Sequence, residues 1–406
     1  MEEFDIIVVG GGPAGMAAAL SAAGSGSASA GAGDRGEAPA VQSRNGRQGA
    51  PLRVLLVERA ATLGGILNQC AHTGFGLSYF GEELTGREYA RRFSGLVGSS
   101  RVEVLTETMV MDIRDGAVVA LSGKKTGLIQ IQAGAVVLAT GCRERPVGAL
   151  PVAGTRPAGV FTAGAAQKMI NLGGYDVGSR FVILGSGDVG LIVARELALR
   201  GKEVIAVIEK EDRCGGLPRN RINCLERFGV PLITRAAVSE VHGIGRVSGV
   251  TITDVEPDAQ VRSAGRFIEC DTLITSVGLI PERELLDGFS GVLPEWLFLC
   301  GNACFVHDVV DDVTVESERA GRFAAQYARG GRGVWGINDE EKPAAYGAAA
   351  GFGETTEQGA DRPDGPDADS AADEARICVA CPKGCRAVMS DGGWQGLACG
   401  RNEPQF

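Results

Sequence analysis

Short, continuous apolar runs alternate along the chain with stretches whose apolar positions recur at helical spacing. Phe4-Asp5-Ile6-Ile7-Val8-Val9, Val54-Leu55-Leu56-Val57 and Phe181-Val182-Ile183-Leu184 are of the first kind, and Met16-Ala17-Ala18-Ala19-Leu20 opens one of the second. Runs without polar alternation fit strands covered on both faces, so the pattern predicts βαβ units on mostly parallel sheets. Two stretches break it. Residues 21–51 are rich in Gly, Ala, Ser and Arg, with Val41 the lone large apolar side chain. Such a segment buries too little surface to offset its ordering entropy, which predicts a flexible insertion. Residues 353–376 hold no Val, Ile, Leu, Met, Phe, Trp or Tyr, and eight acids there face two arginines, a net of −6. A disordered linker is expected over 331–376, mainly 353–376.

Length adds a domain count: 406 residues, at roughly 150 per domain, predict two to three domains. No apolar run approaches the roughly 18 residues of a membrane-spanning helix, so none is expected. The start, Met1-Glu2-Glu3-Phe4-Asp5, carries no basic segment, which argues against a secretion leader and for a cytoplasmic location. In that compartment the 11 cysteines read as thiols or metal ligands rather than disulfides. The formal charge is −10, most of it in the linker. It disfavours nucleic acid as a partner.

The 61 glycines in 406 residues make about one chance G-x-G-x-x-G expected, so context must select among the four matches. Gly10-Gly11-Gly12-Pro13-Ala14-Gly15 follows a strand pattern and enters a helical one. Gly10 permits the turn, Gly12 admits a pyrophosphate and Gly15 allows close helix packing, while the helix N-terminus offers free N–H groups. The next strand ends in Glu58, a carboxylate suited to a ribose. The grammar repeats at Gly185-Ser186-Gly187-Asp188-Val189-Gly190, with Glu209 19 residues after Gly190 (209 − 190). An acid there favours the free 2′-hydroxyl of NAD over NADP. Matches at 31–36 and 331–336 follow no strand and are read as chance.

Two such loops, 175 residues apart (185 − 10), resemble the pyridine nucleotide-disulfide oxidoreductase superfamily. There the first loop binds FAD, and the second, in an inserted domain, binds the nicotinamide cofactor. Further segments share the likeness: Leu138-Ala139-Thr140-Gly141, Asp271 to Pro281 through Gly278, and Phe298-Leu299-Cys300-Gly301-Asn302. The last of these ends Gly-Asp in the family, and here Asn302 replaces the acid. The resemblance implies α/β architecture with two Rossmann-like, three-layer domains: FAD-binding over 1–152 and 281–330, NAD-binding over 153–280. It assigns Gly10, Gly12, Pro13, Ala14, Gly15, Glu58, Gly64, Gly65, Thr140, Gly141, Gly301 and Asn302 to FAD, and Gly185, Gly187, Asp188, Gly190, Glu209 and Gly278 to NAD. Gly64-Gly65-Ile66-Leu67-Asn68-Gln69-Cys70, Thr85 to Ala90, Gly159 to Gln167 and Val306 to Thr314 look like the oxidoreductases that accompany bacterial anaerobic glycerol-3-phosphate dehydrogenases. A dehydrogenase subunit of that kind is the implied partner.

The family's redox dithiols are missing. Leu67 stands where the first cysteine of a Cys-x4-Cys would fall, and residues 161–166 hold no Cys-x2-Cys. Reduction of a disulfide beside the flavin is therefore not expected. Cys70 with His72 could form an activated thiolate–imidazole pair, though a buried thiol is the blander reading. His307 could orient substrate or tune flavin. The N-terminus of a helix expected after Asp312 could face reduced flavin. Cys142, Cys214, Cys224, Cys270, Cys300 and Cys304 read as packing residues. In the tail, 377–406, Cys378-x2-Cys381-Pro382-Lys383-Gly384-Cys385 and Cys399 suit four thiolates on one metal centre, with [4Fe-4S] favoured over Zn. The whole predicts an FAD-dependent oxidoreductase passing hydride or electrons between NAD(H) and an acceptor or partner protein. The alternatives are an electron-transfer or assembly subunit without its own NADH activity, and an NADH oxidase or peroxidase using Cys70.

Overall fold

The computed structural model describes residues 2–24, 50–255, 265–289 and 293–330, together with the backbone of strands Arg376–Ile377, Arg386–Ser390 and Gly393–Ala398. The first sheet orders its strands Glu103–Leu105, Val54–Val57, Glu2–Val9, Gly127–Leu138, Val118–Gly123 and Thr108–Arg114, and Leu297–Leu299 also pairs with Gly127–Leu138. Its centre is parallel, with Val9 opposite both Val57 and Leu138, and Leu299 opposite Leu138. The unalternating run at the amino end is explained by cover on both faces. Ile6 and Val8 enter one apolar cluster, while Phe4, Ile7 and Val9 enter another.

Helix Pro13–Ala22 is buried nearly all round, as an Ala-rich helix without a polar stripe must be. Small residues set how closely helix Val310–Ala328 approaches it: a Cβ on Gly321 would lie 2.2 Å from the Ala18 carbonyl oxygen. The expected insertion starts later than 21, because Ser21 and Ala22 complete the helix and Ser21 Oγ donates to the Glu318 carbonyl. The rest of that insertion, over 25–49, lies outside the described residues.

The second sheet is parallel throughout, in the order Val160–Thr162, Thr272–Thr275, Arg180–Leu184, Glu203–Ile208 and Leu232–Ile233. A second layer covers one face: Ala236–Gly243, Val247–Asp254 and Arg266–Ile268 pair antiparallel, and Ala153–Gly154 adds to Ala236–Gly243 in parallel. Helices Ala163–Asn171 and Asp188–Leu199 cover the other. Strands Cys142–Glu144 and Leu279–Pro281 pair antiparallel where the chain leaves the first sheet's strands and returns toward them. This is the α/β, Rossmann-like architecture that the motifs imply. Among the described residues, no helix is long and apolar enough to cross a membrane.

Candidate functional site

At the first loop, Gly10 has φ +104°, and a Cβ on it would stand 2.4 Å from the Ala139 carbonyl oxygen. A Cβ on Gly15 would stand 1.7 Å from the Gly10 carbonyl oxygen. Both glycines are thus required by the protein's own packing. Gly12 is different: its backbone, φ −73° and ψ −175°, suits any residue, and a Cβ there would meet nothing within 4 Å. The second loop repeats each term. A Cβ on Gly185 (φ +98°) would lie 2.0 Å from the Ser276 carbonyl oxygen, and one on Gly190 2.8 Å from the Gly185 carbonyl oxygen. Gly187, at φ −64° and ψ 162°, again faces open space. Neither backbone strain nor a protein neighbour calls for glycine at 12 or 187. The open backbone at each helix N-terminus leaves room there for a ligand phosphate.

The acids follow suit. Glu58 Oε2 accepts from the Gly11 amide at 2.7 Å and Oε1 from the Ala60 amide at 2.6 Å. Glu209 Oε2 accepts from the Ser186 amide at 2.8 Å and Oε1 from the Glu211 amide at 3.0 Å. Each carboxylate is tethered at the loop, with lone pairs left for a ribose. Sequence reasoning missed one further repeat. Gly64-Gly65 lie 6 and 7 residues beyond Glu58, and Gly215-Gly216 lie 6 and 7 beyond Glu209. Both pairs return to their loops: the Gly64 amide donates to the Gly11 carbonyl, and the Gly215 amide to Ser186 Oγ, each at 2.8 Å. The common spacing from the acid was the available signal, masked by the chain's high glycine content. Asp188 accepts from the Leu217 amide and Asn220 Nδ2, both at 2.8 Å, and so pins this second glycine pair.

Val9, Leu138 and Leu299 are in register, so the glycine loop, Thr140-Gly141 and Gly301-Asn302 emerge together at the carboxyl edge, where open α/β sheets bind ligands. A Cβ on Gly301 would touch Ala14 at 2.7 Å, which seats Asn302 beside the first loop. Thr140 Oγ1 donates to the Glu282 carbonyl at 2.6 Å, and Asn302 Nδ2 to Cys142 Sγ at 3.5 Å. On the second sheet, Gly278 (φ +100°) faces open space three residues beyond Thr275, in line with Gly187 across the pairing of Leu184 with Thr275. The residues present fit dinucleotides at both edges.

The two halves are latched along helix Ala163–Asn171. Glu144 Oε1 accepts from the Gly164 amide at 2.7 Å at its start, and Arg87 Nη2 donates to the Asn171 carbonyl at 2.7 Å at its end, both complementing the helix dipole. Gln69 Nε2 donates to the Gly164 carbonyl at 2.8 Å, and Asn171 Nδ2 returns a bond to the Gln69 carbonyl at 2.9 Å.

Cys70 lies inside this latch. Its thiol donates to the Ile66 carbonyl and Gln167 Oε1, not to His72. Burial, reinforced by Glu196 and opposed by Arg87, pushes it up to about 12. Burial, with Arg195, pushes His72 down to about 4. Both groups are therefore neutral near pH 7, the reverse of what an activated pair requires. His72 Nδ1 is buried without a hydrogen-bond partner among the described residues. An unfolded chain binds a proton at this position below about pH 6.5, whereas the folded one resists until about 4. Stability should fall as pH drops through that window, by about 1.4 kcal/mol per unit and about 3 kcal/mol in all. Urea midpoints at neutral and acid pH should show the decline in the native chain and a flatter profile in His72→Gln.

Two expectations change. The terminal helix begins at Val310, not after Asp312, so Asp311 and Asp312 occupy its first turn. Asp311 is spent on the loop amides of Gly76 and Ser78, at 3.0 and 2.8 Å. Cys142, Cys214, Cys224, Cys270 and Cys300 are free thiols, but Cys304, which is buried, is disulfide-bonded. Cys378, Cys381, Cys385 and Cys399 lie outside the described residues, among which no group of three or more His, Cys, Asp or Glu could hold a metal ion.

Two acid-tethered glycine loops stand at the carboxyl ends of parallel strands in two α/β sheets, where such folds bind ligands. Residues 4–294 match the model of the pyridine nucleotide-disulphide oxidoreductase family, and the chain belongs to that family of flavin-dependent oxidoreductases. The alpha chain of sarcosine oxidase from Corynebacterium sp. strain P-1 is 27% identical over 378 residues, covering 88% of this chain and 33% of its own length. The HcnB component of hydrogen cyanide synthase from Pseudomonas protegens is 26% identical over 306 residues, covering 69% of this chain and 57% of its own. The chain thus spans about a third of the first relative and somewhat over half of the second. Thioredoxin reductase of T. acidophilum shares the fold, with a TM-score of 0.58 at 20% identity, over 81% of this chain and 99% of that one.

Proposed function

We propose that the chain takes hydride from NADH onto FAD and delivers the electrons to an acceptor or partner protein. The observation that carries this reading is the duplicated open glycine. Gly12 and Gly187 have no internal reason to be glycine, and each sits at a helix N-terminus beside a tethered acid. Gly10, Gly12, Pro13, Ala14, Gly15, Glu58, Gly64, Gly65, Thr140, Gly141, Gly301 and Asn302 would hold FAD, which supplies reversible two-electron chemistry when bound. Gly185, Gly187, Asp188, Gly190, Glu209 and Gly278 would hold NAD(H), with Glu209 accepting from a free 2′-hydroxyl and repelling a 2′-phosphate. The latch along Ala163–Asn171 would fix one site relative to the other. Cys70 is a packing thiol in this reading: Cys70→Ser should leave NADH turnover within about twofold of the parent, while an oxidase or peroxidase working through Cys70 requires its loss. An anaerobic NADH titration followed at the flavin absorbance band tests the whole. Stoichiometric bleaching is expected, and flavin that stays oxidised rejects the reading.

One observation favours the second reading, an electron-transfer subunit without its own NADH activity. Both relatives are named as subunits of larger enzymes, and the chain spans only part of each. A dehydrogenase of the glycerol-3-phosphate kind is the partner suggested by segments such as Gly159–Gln167. For the tail we propose a four-thiolate centre in the chain with Cys304 reduced, [4Fe-4S] before Zn. Ile377 pairs with Arg386, and Arg386 with Ala398. The chain neighbours of Cys378, Cys385 and Cys399 therefore share one end of a three-stranded sheet. Metal analysis of anaerobically purified chain should give about four irons rather than one zinc per chain, and neither metal would remove the centre.

A further inference from the structure

The two glycine loops differ at one matched position: the first carries Gly11 where the second carries Ser186. Ser186 is fully buried. Its hydroxyl donates to Glu209 Oε2 at 2.5 Å and accepts from the Gly215 amide at 2.8 Å. Its own amide donates to the same Oε2 at 2.8 Å, and its carbonyl accepts from Cys214 Sγ at 3.7 Å. Every polar atom of this residue thus ties the loop either to the Glu209 carboxylate or to the turn that follows it. With Oε1 held by the Glu211 amide at 3.0 Å, the carboxylate accepts three hydrogen bonds among the described residues. Glu58 accepts two there, one on each oxygen. The first loop has no room for the extra bond: a Cβ on Gly11 would stand 2.5 Å from Leu63 Cδ2. Leu63 lies five residues beyond Glu58 (63 − 58), and the smaller Cys214 lies five beyond Glu209 (214 − 209).

We propose that Ser186 is the positioning residue through which the second site selects a free 2′-hydroxyl over a 2′-phosphate. This rests on NAD(H) binding at that site, as argued above. A glutamate excludes a 2′-phosphate only while it stays in place, because rotation about its side-chain bonds would carry the carboxylate out to solvent. The surroundings would then favour the phosphate, since Lys210 and Arg213, both exposed, lie in the same turn. Swinging Glu209 out breaks the two bonds from Ser186 and the one from the Glu211 amide together. The two amides come with almost any residue, so the hydroxyl is the part of this tether that the side chain supplies. With two donors on Oε2, Oε1 is the oxygen left to accept from a ribose. The carboxylate is held to one task and cannot step aside for the phosphorylated cofactor.

The test is calorimetric titration of the full, flavin-loaded, oxidised chain with NAD+ and with NADP+, which oxidised flavin does not turn over. The native chain should prefer NAD+. Ser186→Ala should lower the ratio of NAD+ to NADP+ affinity about tenfold, the size of one hydrogen bond to a charged group. Ser186→Gly, which installs the residue of the first loop, should do the same and decides the matter if the alanine variant does not fold. In a Glu209→Ala background, Ser186→Ala should leave the ratio unmoved, because the serine acts through that carboxylate. A serine with a structural role alone would lower the melting temperature and leave the ratio at its native value. An unmoved ratio in the Ser186 variants, a native chain without preference, or an equal shift in the absence of Glu209 overturns the role of Ser186. A native chain that binds neither nucleotide rejects the NAD reading and this role together, whereas NAD+ binding with an unmoved ratio rejects only the role.

Discussion

Gly187→Val should leave flavin bound and abolish its reduction by NADH. The side chain costs the fold little, because the backbone there is ordinary extended chain and the nearest protein atom lies beyond 4 Å of the added Cβ. It does occupy the space at the N-terminus of helix Asp188–Leu199 that a pyrophosphate needs. A loss of at least about 100-fold in NADH affinity is expected, about 2.7 kcal/mol, with a melting temperature within about 2 °C of the parent. Calorimetric NADH binding and the anaerobic titration measure the two halves separately. Unaltered bleaching in the variant would place the nicotinamide cofactor elsewhere. If the native chain also fails to bleach, the second site is structural and the complex-dependent subunit is the better reading.

The strand–loop–helix units were legible because their chemistry is local. A buried apolar run, three glycines at fixed spacing and an acid at the next strand's end all lie within one βα unit or the strand after it. The carboxyl-edge grouping of Gly10, Thr140 and Gly301 was legible only through resemblance, since their convergence depends on the register of Val9, Leu138 and Leu299. Three features escaped because nothing local announces them. The Gly215-Gly216 pair was hidden among the 61 glycines, although its distance from Glu209 repeats that of Gly64-Gly65 from Glu58. The latch joins Gln69, Arg87 and Glu144 to a helix that begins at Ala163, through bonds largely to backbone, which sequence pattern does not encode. The His307–Glu316 contact spans a turn and the helix start at Val310, and that start was expected three residues later. In each case tertiary placement, rather than residue type, decided the chemistry.

The first loop separates folding from binding most sharply. Gly15→Ala should prevent recovery of soluble protein or cost more than about 4 kcal/mol. Its Cβ would overlap the Gly10 carbonyl oxygen at 1.7 Å, and a backbone atom held by the Gly10 turn cannot rotate aside as a side chain could. Gly12→Val, three residues earlier, should fold normally and emerge without flavin, since its Cβ meets no protein atom within 4 Å. The two readouts are soluble yield with circular dichroism, and the flavin-to-protein absorbance ratio. A flavin-loaded Gly12→Val would show that the pyrophosphate does not approach this backbone. A stable Gly15→Ala would mean that helix Pro13–Ala22 can move off the Gly10 turn without loss. These outcomes are independent, because Gly15 answers to the packing of the protein on itself and Gly12 only to what the protein holds.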